Sequence, residues 1–307
     1  MSNSRIVSFL TALSDKGETI EELTGAVTIM RRHVTRINVQ KKETVLDTCG
    51  TGGDSLGTFN ISTTAAFVVA GAGVPVAKHG NRSITSKCGS ADVLAELGVN
   101  LEAPVDVMED CIHTVGIGFL FAPKLHPAMK HAMGPRKELG FRTIFNLLGP
   151  LANPAGATCQ VLGVFAPELT EMFAEVLRRL GSRRVFVVHG QDGMDEITVT
   201  GTTRISELRD GAIRTYNFDP LSVMEDYALP HELAGGDPAV NARITRAILE
   251  GEAGPRRDIV CLNAAAGLIA GGKAADFAEG FKLAGQAIDN GKALQALEGL
   301  VAVTQAG

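Results

Sequence analysis

The stretch "ETVLDTCGTGGDSLGTFNISTTAAFVVAGAG" (43–73) decides the fold. Val45 to Cys49 is a short apolar run of strand length, glycines 50, 52 and 53 make a turn, and Thr63 to Ala72 is apolar over helix length. Strand, glycine turn and helix make one βα unit. Working outward, "VPVAKHG" (74–80) reads as a second strand and "SADVLAELGV" (90–99) as a second helix. "TCQVLGVFAP" (158–167), "ELTEMFAEVLRRLGS" (168–182) and "RRVFVVHGQDG" (183–193) continue as strand, helix and strand. Such alternation predicts a mainly parallel sheet covered by helices.

Helical patterns flank and interrupt this series. "SRIVSFLTALSDKG" (4–17) has helical apolar spacing and ends at Gly17. Thr19, with Glu22 three residues on, is a capping box opening "TIEELTGAVTIMRRHV" (19–34). "VDVMEDCIHTVGIGFLFAPKLHPAMKHAMGPRKELGFRT" (105–143) reads as a second helical stretch, residues 195–220 as a β meander, and the Ala/Gly-rich remainder as helices. The expected fold class is therefore α/β. A small discontinuous helical domain (1–43 and 104–143) docks on a large α/β domain (44–103 and 144–307), with a ligand cleft between them.

Composition narrows the function. With 45% hydrophobic and 21% charged residues the chain reads as an ordinary globular protein. Its 307 residues can bury a large core. A net charge of −5 argues against a nonspecific nucleic-acid binder. Five scattered cysteines without a C-x-x-C pair give neither a disulfide framework nor a zinc site, and a reducing cytoplasm is the expected location. No apolar stretch reaches membrane-spanning length, and the N-terminus lacks a secretory pattern.

Four segments carry chemistry. The glycine turn fits neither G-x-G-x-x-G, because Ser55 holds the third glycine position, nor the P-loop. Glycines still let backbone N–H groups converge on an anion at a helix start; a purely structural turn usually needs only one. In "KHGNRSITSKCGSAD" (78–92), Lys78, His79, Arg82 and Lys87 interleave with hydroxyls, an inventory for phosphates and ribose, although basic loops are often just solvated. Asp195 and Glu196 form an acidic pair; beside phosphates such a pair suits Mg²⁺, and elsewhere it is usually solvated. Arg136 either holds a substrate carboxylate or pairs with Glu138, while His126 either lines the same cleft or caps a turn.

Taken in order, "GTGGD" (50–54) with "NIST" (60–63), "KHGNRSITSKCGSAD" (78–92), "GPRKELGFRTIFNLLGPLANP" (134–154) and "DE" (195–196) closely resemble the anthranilate phosphoribosyltransferases. The resemblance runs from about Ile6 to near the C-terminus and implies the nucleoside phosphorylase/phosphoribosyltransferase fold, usually a homodimer. It implies transfer of phosphoribosyl from 5-phosphoribosyl 1-pyrophosphate to anthranilate. The donor site would comprise Gly50, Gly53, Asp54, Thr58, Asn60, Ile61, Ser62, Thr63, Lys78, His79, Gly80, Asn81, Arg82, Ser83, Ile84, Thr85, Ser86 and Ser90. Anthranilate would meet Gly50, Asn81 and Arg136, and Mg²⁺ would meet Ser62, Asp195 and Glu196. The family usually carries further helical residues ahead of the segment matching "SRIVSFLTAL", so a shorter first hairpin is expected here. Two alternatives share the architecture: a pyrimidine nucleoside phosphorylase, whose glycine loop normally differs from "DTCGTGGD", and a non-catalytic nucleic-acid-binding relative, which should be basic.

Overall fold

Two amphipathic helices open the chain in the computed structural model, which describes residues 2–39, 44–53, 56–83 and 87–307. Helix α1 spans Asn3–Lys16 and α2 spans Ile20–Arg32. The capping box forms as its sequence requires: Glu22 N–H donates to Thr19 Oγ1 at 3.2 Å, and Thr19 N–H donates to Glu22 Oε2 at 3.0 Å. Leu10, Leu13, Leu23 and Val27 form the buried stripe of the pair.

The chain then enters the sheet. In order come β1 (Leu46–Gly50), α3 (Ile61–Gly71), β2 (Val76–Gly80), α4 (Ser90–Glu96), α5 (Val105–Thr114) and β3 (Ile117–Phe121). Short helices α6 (Ala122–Leu125), α7 (Lys130–Leu139) and α8 (Ile144–Leu148) lead to β4 (Cys159–Gly163), α9 (Leu169–Arg179) and β5 (Arg184–Gly190). A hairpin of β6 (Thr203–Arg209) and β7 (Ala212–Phe218) precedes α10 (Pro238–Leu249), α11 (Pro255–Ala270), α12 (Phe277–Asp289) and α13 (Lys292–Ala306). Among the described residues the seven strands lie in the order β3-β2-β1-β4-β5-β6-β7. The first five are parallel, and β6 and β7 add antiparallel pairs at one edge.

Helices cover both faces, as a buried parallel sheet demands. Leu46, Val76, Val161 and Val188 face α3 and α11, whereas Leu162, Val185 and Val187 face α9 and the N-terminal helices. Along β4 and β5 the alternation has period two. Helix α11 is buried from Ile259 to Ala270, which accounts for its nearly unbroken apolar sequence. Phe173 on α9 is fully buried, so truncation to Ala there would cost about 3–5 kcal/mol.

One expectation needs correction. Residues 104–143 do not all belong with the N-terminal helices, because Ile117–Phe121 forms β3 and pairs with β2 over five residues. A five-residue apolar run buried on both faces has no alternation to separate it from helix. Helix α5 packs on β3 and α13, while α7 packs on α1. Helix α8, read from sequence as part of the large domain, packs against α1 and α2.

Candidate active site

Strand order reverses between β1 and β4, and in such sheets ligands bind in the crevice beyond the carboxyl ends at this reversal. The segments singled out by sequence converge there. Gly50 ends β1 and pairs with Gly163 at the end of β4. A Cβ on Gly50 would lie 2.6 Å from Asp195 Oδ2, and one on Gly163 would collide with the Asp195 backbone carbonyl. Two glycines face each other because the acidic loop passes directly over them. Gly163 escaped the motif reading, although a glycine inside an apolar strand is itself a sign of close approach.

The acidic loop is held from below. Asn263, buried on α11, accepts the Ile197 N–H at 2.9 Å and donates to the Ile197 carbonyl at 2.9 Å. Asp192 Oδ2 accepts both the Thr198 and Thr200 hydroxyls at 2.6 Å. With the loop fixed, Asp195 Oδ2 accepts the Gly52 N–H at 2.9 Å, and Glu196 Oε1 accepts the Ser62 N–H at 3.0 Å. Ser62 lies in the first turn of α3, where N–H groups lack intrahelical partners. Burial, followed by repulsion from Asp195, pushes the Glu196 carboxyl up to about 8. Two acids so confined favour a cation, and a pair of carboxylates suits one that takes further oxygens from phosphate.

Strand β2 ends in a second buried set. Lys78 Nζ donates to the Thr48 carbonyl, and Thr48 Oγ1 donates to the Ser62 carbonyl at 3.1 Å. Burial lowers the Lys78 ammonium, opposed first by Asp47 and then by Cys49 and Glu196. Asp47 is raised by burial and drawn down by Asn153, the His79 N–H and Lys78. His79 Nε2 and His126 Nε2 are 3.0 Å apart, so one ring donates and the other accepts, and both are neutral. Burial holds His79 down to about 3 and His126 down to about 4. His126 is therefore a buried partner of His79 rather than a turn cap.

Beyond β2, Asp92 on α4 binds the loop together. Its Oδ2 accepts the Ser83 N–H at 3.0 Å and the Gly89 N–H at 2.9 Å, and its Oδ1 pairs with Arg82 at 2.9 Å. Asn81 and Lys87 are exposed, while Ser90 Oγ donates to the Asn81 carbonyl at 3.3 Å. Asn60 is engaged structurally: it donates to the Cys88 carbonyl at 3.2 Å and accepts from Asn241 at 2.9 Å. Ile61 and Thr63 are buried at the start of α3, so their side chains are not accessible there. Thr58 bridges to Ala234. Asp54, Ile84, Thr85 and Ser86 lie outside the described residues.

The helical segment contributes two arginines. Arg142 Nη2 donates to the Gly53 carbonyl at 2.8 Å, with its guanidinium 4.1 Å from the Phe165 ring centre. Gly53 has φ +88°, a conformation that favours glycine, and a Cβ there would collide with Arg142. Arg136, half-buried on α7, stands 5.5 Å from the Phe145 ring centre, and burial lowers it. No Arg136–Glu138 ion pair forms among the described residues.

This fold and site define a class. The family model described as "Glycosyl transferase family, a/b domain" matches residues 42–294, and "Glycosyl transferase family, helical bundle domain" matches residues 1–34. Within that class, curated anthranilate phosphoribosyltransferases from Desulfosudis oleivorans (60% identical, 99% of this chain and 90% of the relative) and Syntrophobacter fumaroxidans (61%, 98% and 89%) are similar along their lengths. The crystal structure of the Thermus thermophilus enzyme superposes with TM-score 0.94 at 45% identity, covering 99% of this chain and 91% of that one. The Saccharomyces cerevisiae enzyme in complex with PRPP and Mg gives 0.91 at 29% identity, with 99% and 86% covered. The chain belongs to the anthranilate phosphoribosyltransferase family, the pentosyl-transferring enzymes of tryptophan biosynthesis. This sets aside the phosphorylase and nucleic-acid-binding alternatives.

Proposed function

We propose that the crevice at the ends of β1, β2 and β5 holds 5-phosphoribosyl 1-pyrophosphate, and that the anthranilate amine displaces pyrophosphate at ribose C1. The observation that carries this is the meeting of the acidic loop with the glycine turn and the α3 N-terminus, through Asp195–Gly52 and Glu196–Ser62. Asp195, Glu196 and Ser62 would hold Mg²⁺, which supplies positive charge for the diphosphate. The N–C1 bond forms as the C1–O bond breaks, pyrophosphate leaves with the electron pair, and the attacking nitrogen then loses a proton to water. An aryl amine is neutral at pH 7, so no strong base is required. The barrier falls through positioning and charge stabilisation. Lys87 or its neighbours and the loop N–H groups would meet the growing negative charge. Arg136 orients the anthranilate carboxylate, together with Asn81 and the Gly50 backbone.

We assign α1, α2, α7 and α8 to the small domain and infer a homodimer formed through it. Phe9 on α1, Ile29 on α2 and Met133 on α7 are exposed at 61%, 51% and 64%. Association would cover these apolar side chains. Among the described residues no helix is long and apolar enough to cross a membrane, and we place the enzyme in the cytoplasm. The testing experiment follows loss of anthranilate fluorescence with donor and Mg²⁺, each omitted in turn. Consumption only with all three is expected; consumption without the donor would refute the reading.

A further inference from the structure

Strands β1 and β2 begin as a parallel pair and then separate. Leu46 pairs with Val76, and its N–H donates to the Pro75 carbonyl at 2.9 Å. By parallel-ladder geometry the next rung would join Thr48 to the Ala77 carbonyl and the His79 N–H. Side chains take these groups instead. Asn153 Nδ2 donates to the Ala77 carbonyl at 2.8 Å, Asp47 Oδ1 accepts the His79 N–H at 3.0 Å, and Lys78 Nζ donates to the Thr48 carbonyl. The flanking pairs β1–β4 and β2–β3 stay in register over five residues each, so the gap is confined to β1 and β2.

Every member of this set is buried: Asp47 at 0%, Thr48 and Lys78 at 2%, Asn153 at 4% exposure. For stability alone, apolar side chains and a closed ladder would serve as well or better than a buried carboxylate and amide. The polar set has a purpose if the width of the gap matters. The gap opens toward Gly50 and Gly80, the two strand ends from which the phosphate-suited loops depart.

We propose that Asp47 and Asn153 are positioning residues for the phosphoribosyl donor: as a side-chain wedge between β1 and β2, they set the spacing of the Lys78–Asn81 segment from the glycine turn. Neither residue need touch the donor; each acts through the β2 backbone. The inference rests on the reading that these two loops hold the donor.

The test measures the dissociation constant for the donor with Mg²⁺, and the melting temperature, for the wild-type chain and for Asp47→Ala, Asp47→Asn and Asn153→Ala. Failure of the wild-type chain to bind the donor overturns the underlying reading, and the wedge with it. Given wild-type binding, Asp47→Ala weakens donor affinity about tenfold, and Asp47→Asn, whose amide oxygen still accepts the His79 N–H, recovers most of it. Donor affinity unchanged in Asp47→Ala despite a lower melting temperature, or no recovery in Asp47→Asn, overturns the wedge. Where Asp47→Ala does not fold, Asn153→Ala decides: several-fold weaker donor binding supports the wedge, and wild-type affinity overturns it.

Discussion

Asp195 Oδ2 accepts the Gly52 N–H at 2.9 Å, joining the loop after β5 to the turn after β1. One bond thus connects residues far apart in sequence across the reversal in strand order. The acidic pair stays aimed at the crevice only while the ends of β1 and β4 carry no side chains beneath it.

Gly163→Ala tests that packing. Its Cβ would collide with the Asp195 carbonyl, so the loop must shift by a sizeable fraction of an ångström or more. Misplacement on this scale lowers turnover on the order of 100-fold. Steady-state kinetics at several Mg²⁺ concentrations should show the fall together with a higher Mg²⁺ concentration for half-maximal activity; wild-type turnover would show that the loop yields freely.

Arg136→Ala should raise the KM for anthranilate about 10- to 100-fold, the range for losing a charged hydrogen-bonding partner. The KM for the phosphoribosyl donor should change far less. Equal effects on both substrates would remove Arg136 from its assigned place.

Arg142→Ala frees the Gly53 carbonyl and removes the contact with Phe165. Because this arginine is exposed, the cost is moderate, and a several-fold rise in donor KM is expected. Arg142→Lys should recover little, since an ammonium lacks the planar group that both stacks and donates. Full recovery by Lys would reduce the role to charge.

The buried histidines link stability to acidity. An unfolded histidine takes a proton near pH 6.5, whereas His79 and His126 resist protonation to about 3 and about 4. The unfolded chain therefore binds more protons between about pH 6.5 and about 4, and the folded chain loses stability as pH falls through that window. Melting temperatures from pH 7 to pH 4 should fall, and His126→Gln, which does not titrate, should fall less steeply. Identical slopes would contradict the neutral pair.

Much of this was legible in the residues. Glycine turns after short apolar runs revealed the βα units, and Thr19 with Glu22 marked the start of α2 because both halves of a capping box are local. Strand β3 was not legible: its five apolar residues are buried on both faces, so no period distinguishes strand from helix. The supports of the site were equally silent. Asn263, Asp92, Asp47 and Asn153 act through hydrogen bonds to backbone outside their own elements, and no local spacing encodes such a bond. Gly163 was also passed over, although a glycine inside an apolar strand carries a local sign of close approach.

Equilibrium titration of 5-phosphoribosyl 1-pyrophosphate into the wild-type chain and into the double variant Asp195→Asn, Glu196→Gln, with Mg²⁺ or with a chelator, is the most direct measurement. Tight binding is predicted only for wild-type protein with Mg²⁺, with the double variant binding weakly and almost independently of metal. Donor binding of equal strength in all four arms would contradict a metal-complexed diphosphate held between the glycine turn and the acidic loop.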